Sequence, residues 1–344
     1  MKKYKFSVII ANYNGEKYLL DCLTSVFKTD YPKFEVIIVE DGSTDGSLKI
    51  IDDFQQKYSF TLIQNIKNIG LVKSRNKAIK KASGDILVFL DNDTSVDKNW
   101  LTGFAKTFNK DKSIAAAQSI ILDFKKRDII QEIGMKLNPY TGFGNPLGRG
   151  EKNFGQFSNL QEIIALGACL AVRKEVAKKI KGFDEMLFHY TDDLDFSWRI
   201  WILGKRIVSS PNTYIYHYTK IHKPTFDLYF HLSKNSFRMI IKNYEFINMV
   251  KFLPISFCFN IMGGIVVLIK TKRIIALLGV IVGLLWNLLF LIDTLKERTN
   301  IQTLRKIKDK YILSKITIAT DLFTTMKIYF HTAKLTVFLM KENK

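Results

Sequence analysis

The chain is predicted to be an α/β protein: a Rossmann-like, mostly parallel sheet over residues 1–225, then a helical region over residues 226–344. Three observations predict this. Short β-branched runs alternate with segments of helical period through the first hundred residues. Polar residues gather just beyond the ends of those runs. After residue 226 long apolar stretches replace the alternation, with cations between them. At 344 residues and 47% hydrophobic content, the chain can bury a sizeable core.

FSVIIA (Phe6–Ala11) and FEVIIV (Phe34–Val39) each end in polar turn residues and read as buried strands. Between them, Glu16–Lys28 carries Leu19, Leu20, Leu23, Val26 and Phe27 at helical spacing. A second helix opens after Ser43-Thr44-Asp45, with Leu48, Ile51 and Phe54 inward. Phe60–Gln64 reads as a strand, Val72–Ala82 as a helix and Ile86–Leu90 as a strand. Such alternation implies a parallel sheet covered on both faces, whose ligands gather at the carboxyl ends of the strands. Asn12, Asp41, Asn65 and Asp91 all fall at or just beyond such ends. From Met135 to Phe157, Gly, Asn and Pro predict a long loop. It contains GFGNPLGRG, which lacks the strand-to-helix context of a dinucleotide fingerprint. Order returns at Ile163–Val172, followed by a short helix to Ile180.

Lys and Arg number 52 against 32 Asp and Glu, a net charge of +20. Residues 1–220 hold 33 basic and 25 acidic residues, a net of +8; residues 221–344 hold 19 and 7, a net of +12. In the second part the cations interleave with apolar runs, which points to an anionic membrane. No RNA-binding signature or zinc-finger spacing accompanies the charge, so nucleic acid is set aside as a partner. Cys22, Cys169 and Cys258 are far apart and form no CxxC, which fits a reducing compartment. The first apolar run ends at Ala11, too short for a signal-peptide core. The chain is therefore expected to begin in the cytosol and to work at the cytoplasmic face of a membrane.

Two stretches are candidates for spanning or re-entering that membrane: residues 250–269, interrupted by Pro254 and Asn260, and residues 274–292, which carry no charge. The second is the stronger by composition. Between them lies Lys270-Thr271-Lys272-Arg273, which two full crossings would place outside, against the positive-inside tendency. Shallow or re-entrant helices would keep those cations at the cytosolic headgroups; the sequence leaves both arrangements open. Residues 301–344 read as a basic amphipathic tail on the membrane, with Ile307, Ile312, Leu313, Ile316 and Ile318 among Lys306, Lys308, Lys310 and Lys315.

Four clusters carry chemistry. In FLDND, Asp91 and Asp93 lie two apart after a strand, so both can reach one cation; oxygen ligands suit Mg²⁺ or Mn²⁺. In VEDGSTDGS, Glu40 and Asp41 follow a strand, and a carboxylate there can accept a nucleobase N–H. In NIGLVKSRN, Lys73 and Arg75 are available to a phosphate or an acidic neighbour. In TDDLDFSWR, Asp192, Asp193 and Asp195 repel one another, which raises the pKa of at least one and suits a general base.

SVIIANYNG, VEDGSTDGS, NIGLVKSRN, FLDND, LGACLAVRKEVAKKIKGFDE and YTDDLDFSWRIWILGKRI, in this order, resemble the inverting family 2 glycosyltransferases of GT-A fold, closest to those of rhamnosyltransferase-like arrangement. The resemblance covers roughly residues 5–220. It implies that Asn12 and Tyr13 line a nucleotide pocket, Asp41 binds the base and Arg75 lies near the sugar nucleotide. It further implies that Asp91 meets the ribose and Asp93 the metal, Mg²⁺ or Mn²⁺, on the diphosphate. His217 falls where many members place a metal- or diphosphate-facing histidine. Asp193 matches the catalytic base and Asp192 its neighbour, with Trp198 and Arg199 expected on the acceptor side. The family's usual Asp-Asp-Gly-Ser is Glu40-Asp41-Gly42-Ser43 here, and its Glu-Asp pair is Asp192-Asp193, which leaves the choice of base between the two open.

The expectation is a metal-dependent glycosyltransferase moving a sugar from a nucleotide-diphosphate sugar to a hydroxyl of a lipid-linked or cell-surface glycan, with inversion. Two alternatives stand beside it. One is transfer to a polyisoprenyl phosphate, which needs no base. The other is a membrane-tethered, non-catalytic nucleotide-binding protein.

Overall fold

A computed structural model describes residues 2–165, 167–218 and 225–317. The strand–helix alternation is present: β1 (Phe6–Asn12), α1 (Glu16–Phe27), β2 (Phe34–Glu40), α2 (Ser47–Gln55), β3 (Thr61–Gln64), α3 (Leu71–Lys81) and β4 (Ile86–Asp91) follow one another. The β-branched runs are buried on both faces: Val8, Ile10, Ile38 and Val88 pack with α1 and α4 residues in one core, while Ile9, Ile37, Val39 and Phe89 pack with α3 and α6 residues in the other. Next come β5 (Thr94–Val96), α4 (Trp100–Lys110), β6 (Ile114–Asp123) and β7 (Ile130–Glu132). The segment expected as a long loop contains a hairpin, β8 (Met135–Asn138) and β9 (Phe143–Pro146). Its glycine is structural, because a Cβ at Gly144 would sit 1.6 Å from Met135 Sδ. The domain then continues with β10 (Cys169–Arg173), α5 (Lys174–Lys179), α6 (Asp192–Ile202) and β11 (Arg206–His217).

The main sheet has the order β3-β2-β1-β4-β10-β6-β11-β5, with β7 on β6. Strands β3, β2, β1 and β4 are parallel, as are β6 and β11; β10 runs antiparallel between β4 and β6. β10 reverses direction because it starts just after the loop at the carboxyl edge and runs back down the sheet. That reversal brings residues 167 and 168 to the carboxyl end of β4.

The helical region comprises α7 (Phe226–Asn243), α8 (Phe246–Thr271), α9 (Ile275–Leu289), α10 (Leu291–Thr303) and α11 (Asp309–Ile316). Gly279 and Gly283 let α9 lie directly on α7, since a Cβ at either would come within 2.6 Å of a backbone oxygen, of Phe226 and Phe230 respectively. α8 runs unbroken through Pro254 and is the one described helix long and apolar enough to cross a membrane by itself. The second apolar stretch is divided between two helices. α9 has 15 residues, about 22 Å at helical rise and short of the ~30 Å hydrocarbon core, and the chain then bends by 69° into α10.

The expected amphipathic tail also differs over its described part. Ile312 and Ile316 are buried, and with Ile307 and Leu313 they join the same core as Trp198 and Tyr244, so these apolar residues face the protein. Asp309 fixes this docking: it accepts from the Glu245 amide (2.6 Å), Asn248 Nδ2 (3.1 Å) and Arg305 Nη1 (2.8 Å). Ile318 and the remainder of the tail lie outside the described residues. A buried ion network joins α7 to the sheet domain. Asp184 pairs with Arg238 (2.8 Å) and Lys242, and Asp195 with Lys242 (2.8 Å) and Arg199 (2.9 Å). Arg238 and Lys242 hold the Asp184 carboxyl well below the usual range, against the effect of burial.

Candidate active site

The loops after β1, β2 and β3 form one wall of a cleft at the carboxyl edge. Glu40 is fully buried and closes the β2 turn, accepting from Asn12 Nδ2 (2.6 Å) and the Ser43 amide (2.7 Å). Asn12 Oδ1 in turn accepts from Asn92 (2.6 Å), which ties this turn to the DND segment. Asp41 is left facing the cleft's inner wall. Its carboxylate accepts from Asn65 Nδ2 (2.8 Å) and from the amides of Ile69 and Gly70 (3.0 Å each). Gly70 has φ +94°, and a Cβ there would strike the Phe188 ring at 2.5 Å. Asn12, Tyr13, Asp41, Gly70, Phe188 and His189 are among the residues lining a cleft of about 170 Å³, with Tyr13 exposed.

The second wall is acidic. Asp91, ending β4, accepts from Arg75 Nη2 (2.7 Å) and from the Ala168 amide (3.0 Å). The neighbouring amide of Gly167 donates to Asp193 Oδ2 (2.6 Å), and the Leu194 amide donates to Asp193 Oδ1 (2.7 Å). Two successive amides thus hold two carboxylates side by side. A Cβ at residue 167 would point between them, 3.6 Å from each. Arg75 is itself buried, and its Nη1 reaches Asp192 (3.1 Å). Burial pushes Asp192 up to about 7, reinforced by the charge of Asp193 and opposed by Arg75. Burial likewise pushes Asp193 up to about 6, against the Gly167 and Leu194 amides and Arg75. Asp192 is buried while Asp193 remains partly accessible.

Asp93 and His217 form the third feature. β5 pairs antiparallel with β11 in the register Thr94↔His217, which sets Asp93 beside the histidine. His217 Nε2 lies 3.4 Å from Asp93 Oδ1, and its Nδ1 meets Gln131 Oε1 at 2.7 Å. Burial opposes a charge on His217, but the hydrogen bond and charge of Asp93, with Asp91 and Glu132 beyond, raise its pKa. A carboxylate and an imidazole held this way are donors suited to a divalent cation.

Two residues expected on the acceptor side lie elsewhere. Trp198 is fully buried and stacks on Tyr244 at 4.5 Å. Arg199 is buried with its guanidinium on Asp195 and the carbonyls of Ile180 (2.7 Å) and Gly182 (2.6 Å). The reason is helical geometry: on α6, positions 198 and 199 are rotated roughly 140° and 120° away from position 193, in opposite senses. Asp195 likewise turns inward to Arg199, Lys242 and Asn243.

Other contributors were not singled out from the sequence: the Gly167 and Ala168 amides, Gln131, and the α7 pair Lys234–Asn235. Asn235 is fully buried, and its Nδ2 lies within hydrogen-bond distance of the carbonyls of Leu187 (3.1 Å), His189 (2.8 Å) and Tyr190 (2.7 Å). Lys234 Nζ donates to the Met186 carbonyl (2.8 Å). They brace a segment in which Phe188, Tyr190 and Thr191 all have φ between 60° and 68°, immediately before Asp192. Adjacent polar residues midway along an amphipathic helix were the available signal.

A mostly parallel sheet with nucleotide-type loops on β1–β3 and acids from β4, the β4–β5 turn and α6 at one edge is the GT-A architecture of sugar-nucleotide-dependent transferases. The chain belongs to Glycosyl transferase family 2, whose profile matches residues 7–181. Over 100 residues it is 42% identical to the poly(ribitol-phosphate) beta-N-acetylglucosaminyltransferase TarS of Staphylococcus aureus, covering 28% of this chain and 18% of that protein. Over 205 residues it is 26% identical to the poly-beta-1,6-N-acetyl-D-glucosamine synthase of Staphylococcus epidermidis, covering 60% and 48%. The chain therefore spans less than half the length of these curated relatives. The solved structure of S. aureus TarS 1-349 in complex with UDP-GlcNAc matches with TM-score 0.55 at 22% identity, covering 90% of this chain and 92% of that one. GalNAc-T7 with UDP, GalNAc and Mn²⁺ matches with TM-score 0.57 at 20% identity, covering 70% and 48%. These structural likenesses show the fold.

Proposed function

We propose that this glycosyltransferase moves a sugar from a nucleotide-diphosphate sugar to a hydroxyl of a cell-surface or lipid-linked glycan, inverting the anomeric centre. One observation carries the reading: Asp41, Asp91, Asp93 with His217, and Asp193 all converge on one sheet edge from separate elements. Asp41, with Asn12 and Tyr13 beside it, binds the base, and Asp91 the ribose. Arg75 positions Asp91 and Asp192 between donor and base. Asp93 and His217 would hold Mn²⁺ or Mg²⁺; bound there, the cation offsets charge on the leaving diphosphate. Asp193, accessible and with a raised pKa, takes the acceptor proton as the hydroxyl attacks the anomeric carbon. A base is superfluous for a phosphate acceptor, so this site favours a hydroxyl. The UDP-GlcNAc held by the TarS fragment and the N-acetylglucosaminyl activities named for both relatives make UDP-GlcNAc the first donor to test.

The C-terminal region is proposed to hold the enzyme on the cytoplasmic face of a membrane. Ile247, Val250, Ile281, Leu285, Leu288 and Leu289 are exposed apolar residues of α8 and α9, Lys251 is exposed among them, and Lys270, Lys272 and Arg273 are exposed where the two helices join. The test of the activity is nucleoside-diphosphate release from a panel of nucleotide sugars with Mn²⁺ or Mg²⁺ and glycan acceptors. Transfer should be lost in Asp93→Ala and Asp193→Ala; an Asp193→Ala enzyme with unimpaired turnover would remove the assigned base.

A further inference from the structure

Beside the cleft, and separate from Asp93, lies a second convergence of metal-ligating side chains. His189 Nε2 is 3.1 Å from Asp227 Oδ2, and His231 Nε2 is 3.4 Å from Asp227 Oδ1. The three ligand atoms all lie within 4.8 Å of one another. Asp227 and His231 are one turn apart at the start of α7 and so share a face; His189 comes from the segment before α6. The two rings are in contact, with centroids 4.3 Å apart, and Phe188 stacks on His231 at 5.7 Å, which fixes the imidazole. His231 is buried, whereas Asp227 is largely exposed, so the convergence opens to solvent on one side.

We propose that His189, Asp227 and His231 form a binding site for a divalent transition metal of the zinc class. Two imidazoles and one carboxylate are the donor set such ions take, and tetrahedral bonds of about 2.0–2.2 Å place ligand atoms a little over 3 Å apart. The separations on the Asp227 carboxylate, 3.1 and 3.4 Å, are already of that size, and Asp227, the exposed member, is the one free to adjust. Burial lowers the pKa of both histidines, which keeps the rings in the neutral form that ligates. Hard oxygen-seeking Mg²⁺ is not served by this set, which distinguishes the site from the diphosphate cation.

The site would also join two elements that matter to catalysis. His189 lines the cleft with Asp41, and it belongs to the strained segment that leads into Asp192 and Asp193. A metal here cross-links that segment to the first turns of α7, adding to the brace from Asn235. This consequence rests on the catalytic reading of Asp193; metal binding itself does not.

The test uses the full chain, stripped by a chelator and titrated with Co²⁺ as a spectroscopic stand-in. The expected result is the strong visible absorption of a tetrahedral nitrogen- and oxygen-ligated ion that saturates at one such Co²⁺ per chain, besides Co²⁺ taken at Asp93 and His217. His231→Ala and the exposed-site variant Asp227→Asn should each weaken that binding by more than about tenfold. Asp93→Ala should keep the absorption. Absence of the absorption in the parent chain overturns the proposal. So does its survival in a folded Asp227→Asn, or its loss in Asp93→Ala. Because absorption is read without turnover, failure of this site is distinguishable from failure of the transferase reading.

Discussion

Nη1 of Arg75 lies 3.1 Å from Asp192 Oδ2, deep in the protein, while the other terminal nitrogen of the same guanidinium holds Asp91 at 2.7 Å. One cation from α3 therefore joins the strand-end acid to the acid before Asp193, the proposed base. Arg75 opposes the upward shift of both Asp192 and Asp193. Its removal takes away the cation that opposes their upward shift, so the Asp192–Asp193 pair titrates higher. Arg75→Ala should cut kcat/KM by at least about a hundredfold, roughly 3 kcal/mol. Its remaining rate should rise toward a more alkaline pH than the parent's. A pH–rate profile of unchanged midpoint would show that Arg75 does not govern these acids.

The proposed base, Asp193, gives an expected pH dependence for the parent enzyme. Asp193 must be ionised to accept a proton, and burial has raised it to about 6, with Asp192 at about 7. kcat/KM should therefore climb as pH rises through about 6 to 7 and level above it. Asp193→Asn should lose about 10²–10⁴ in rate and the acid limb with it. Asp192→Asn removes the group that titrates at about 7 yet leaves Asp193 facing the cleft, so the acid limb should persist near 6. Loss of the limb in Asp192→Asn alone would reassign the base.

Much of this site was legible because strand ends are legible. Asn12, Asp41 and Asp91 follow apolar runs whose length and β-branching mark them, and a parallel sheet brings such ends together whatever the intervening sequence. Asp195, Trp198 and Arg199 were not, since their orientation depends on Lys242, Asn243 and Tyr244, which reach α6 from a helix further along the chain. The Met135–Phe157 segment hid a hairpin because its glycine content, a loop signal, answers to the close approach of Met135 to Gly144. The apolar run at 274–292 concealed a 69° bend with no proline to announce it.

Asn235 offers a test of positioning without contact to substrate. Its amide braces the Leu187, His189 and Tyr190 carbonyls in a segment of left-handed residues that leads straight into Asp192. Asn235→Ala removes that brace, and a shift of about 1 Å in a reacting group costs on the order of 10² in rate. kcat should fall by that order while donor KM changes little, because Asp41 and Asp91 are held by other amides. Equal loss in KM would mean that the segment shapes the donor pocket instead.

Asp184 tests the seam between sheet domain and helices. It is nearly buried, and it is the shared partner of Arg238 and Lys242. Asp184→Asn leaves Lys242 to Asp195 and Arg238 to Asp293 as remaining counter-charges and should cost roughly 1–3 kcal/mol of stability. Because the folded carboxyl is depressed, its contribution is present above the ordinary carboxylate pKa and declines as pH falls below it. Denaturant midpoints of parent and variant should therefore converge on acidification. A constant gap across that range would place the effect in packing rather than charge.

The exposed face of α9 is the proposed contact with a bilayer. Leu285 and Leu288 are 52% and 68% exposed, on a helix too short to cross, beside the basic turn Lys270–Arg273. Insertion of that face to the depth of the acyl boundary would remove about 1.5–3 kcal/mol of apolar exposure per leucine. The Leu285→Glu/Leu288→Glu double variant should therefore lower partition onto anionic vesicles by more than about tenfold, since each 1.4 kcal/mol is a factor of ten. Raising salt should weaken the parent's binding only in part, because the apolar contribution is not screened. Turnover with a soluble acceptor should be unaffected, as Leu285 and Leu288 are exposed and line none of the cleft. Unchanged vesicle binding in a folded double variant would exclude this face as the membrane contact and leave α8 to provide it.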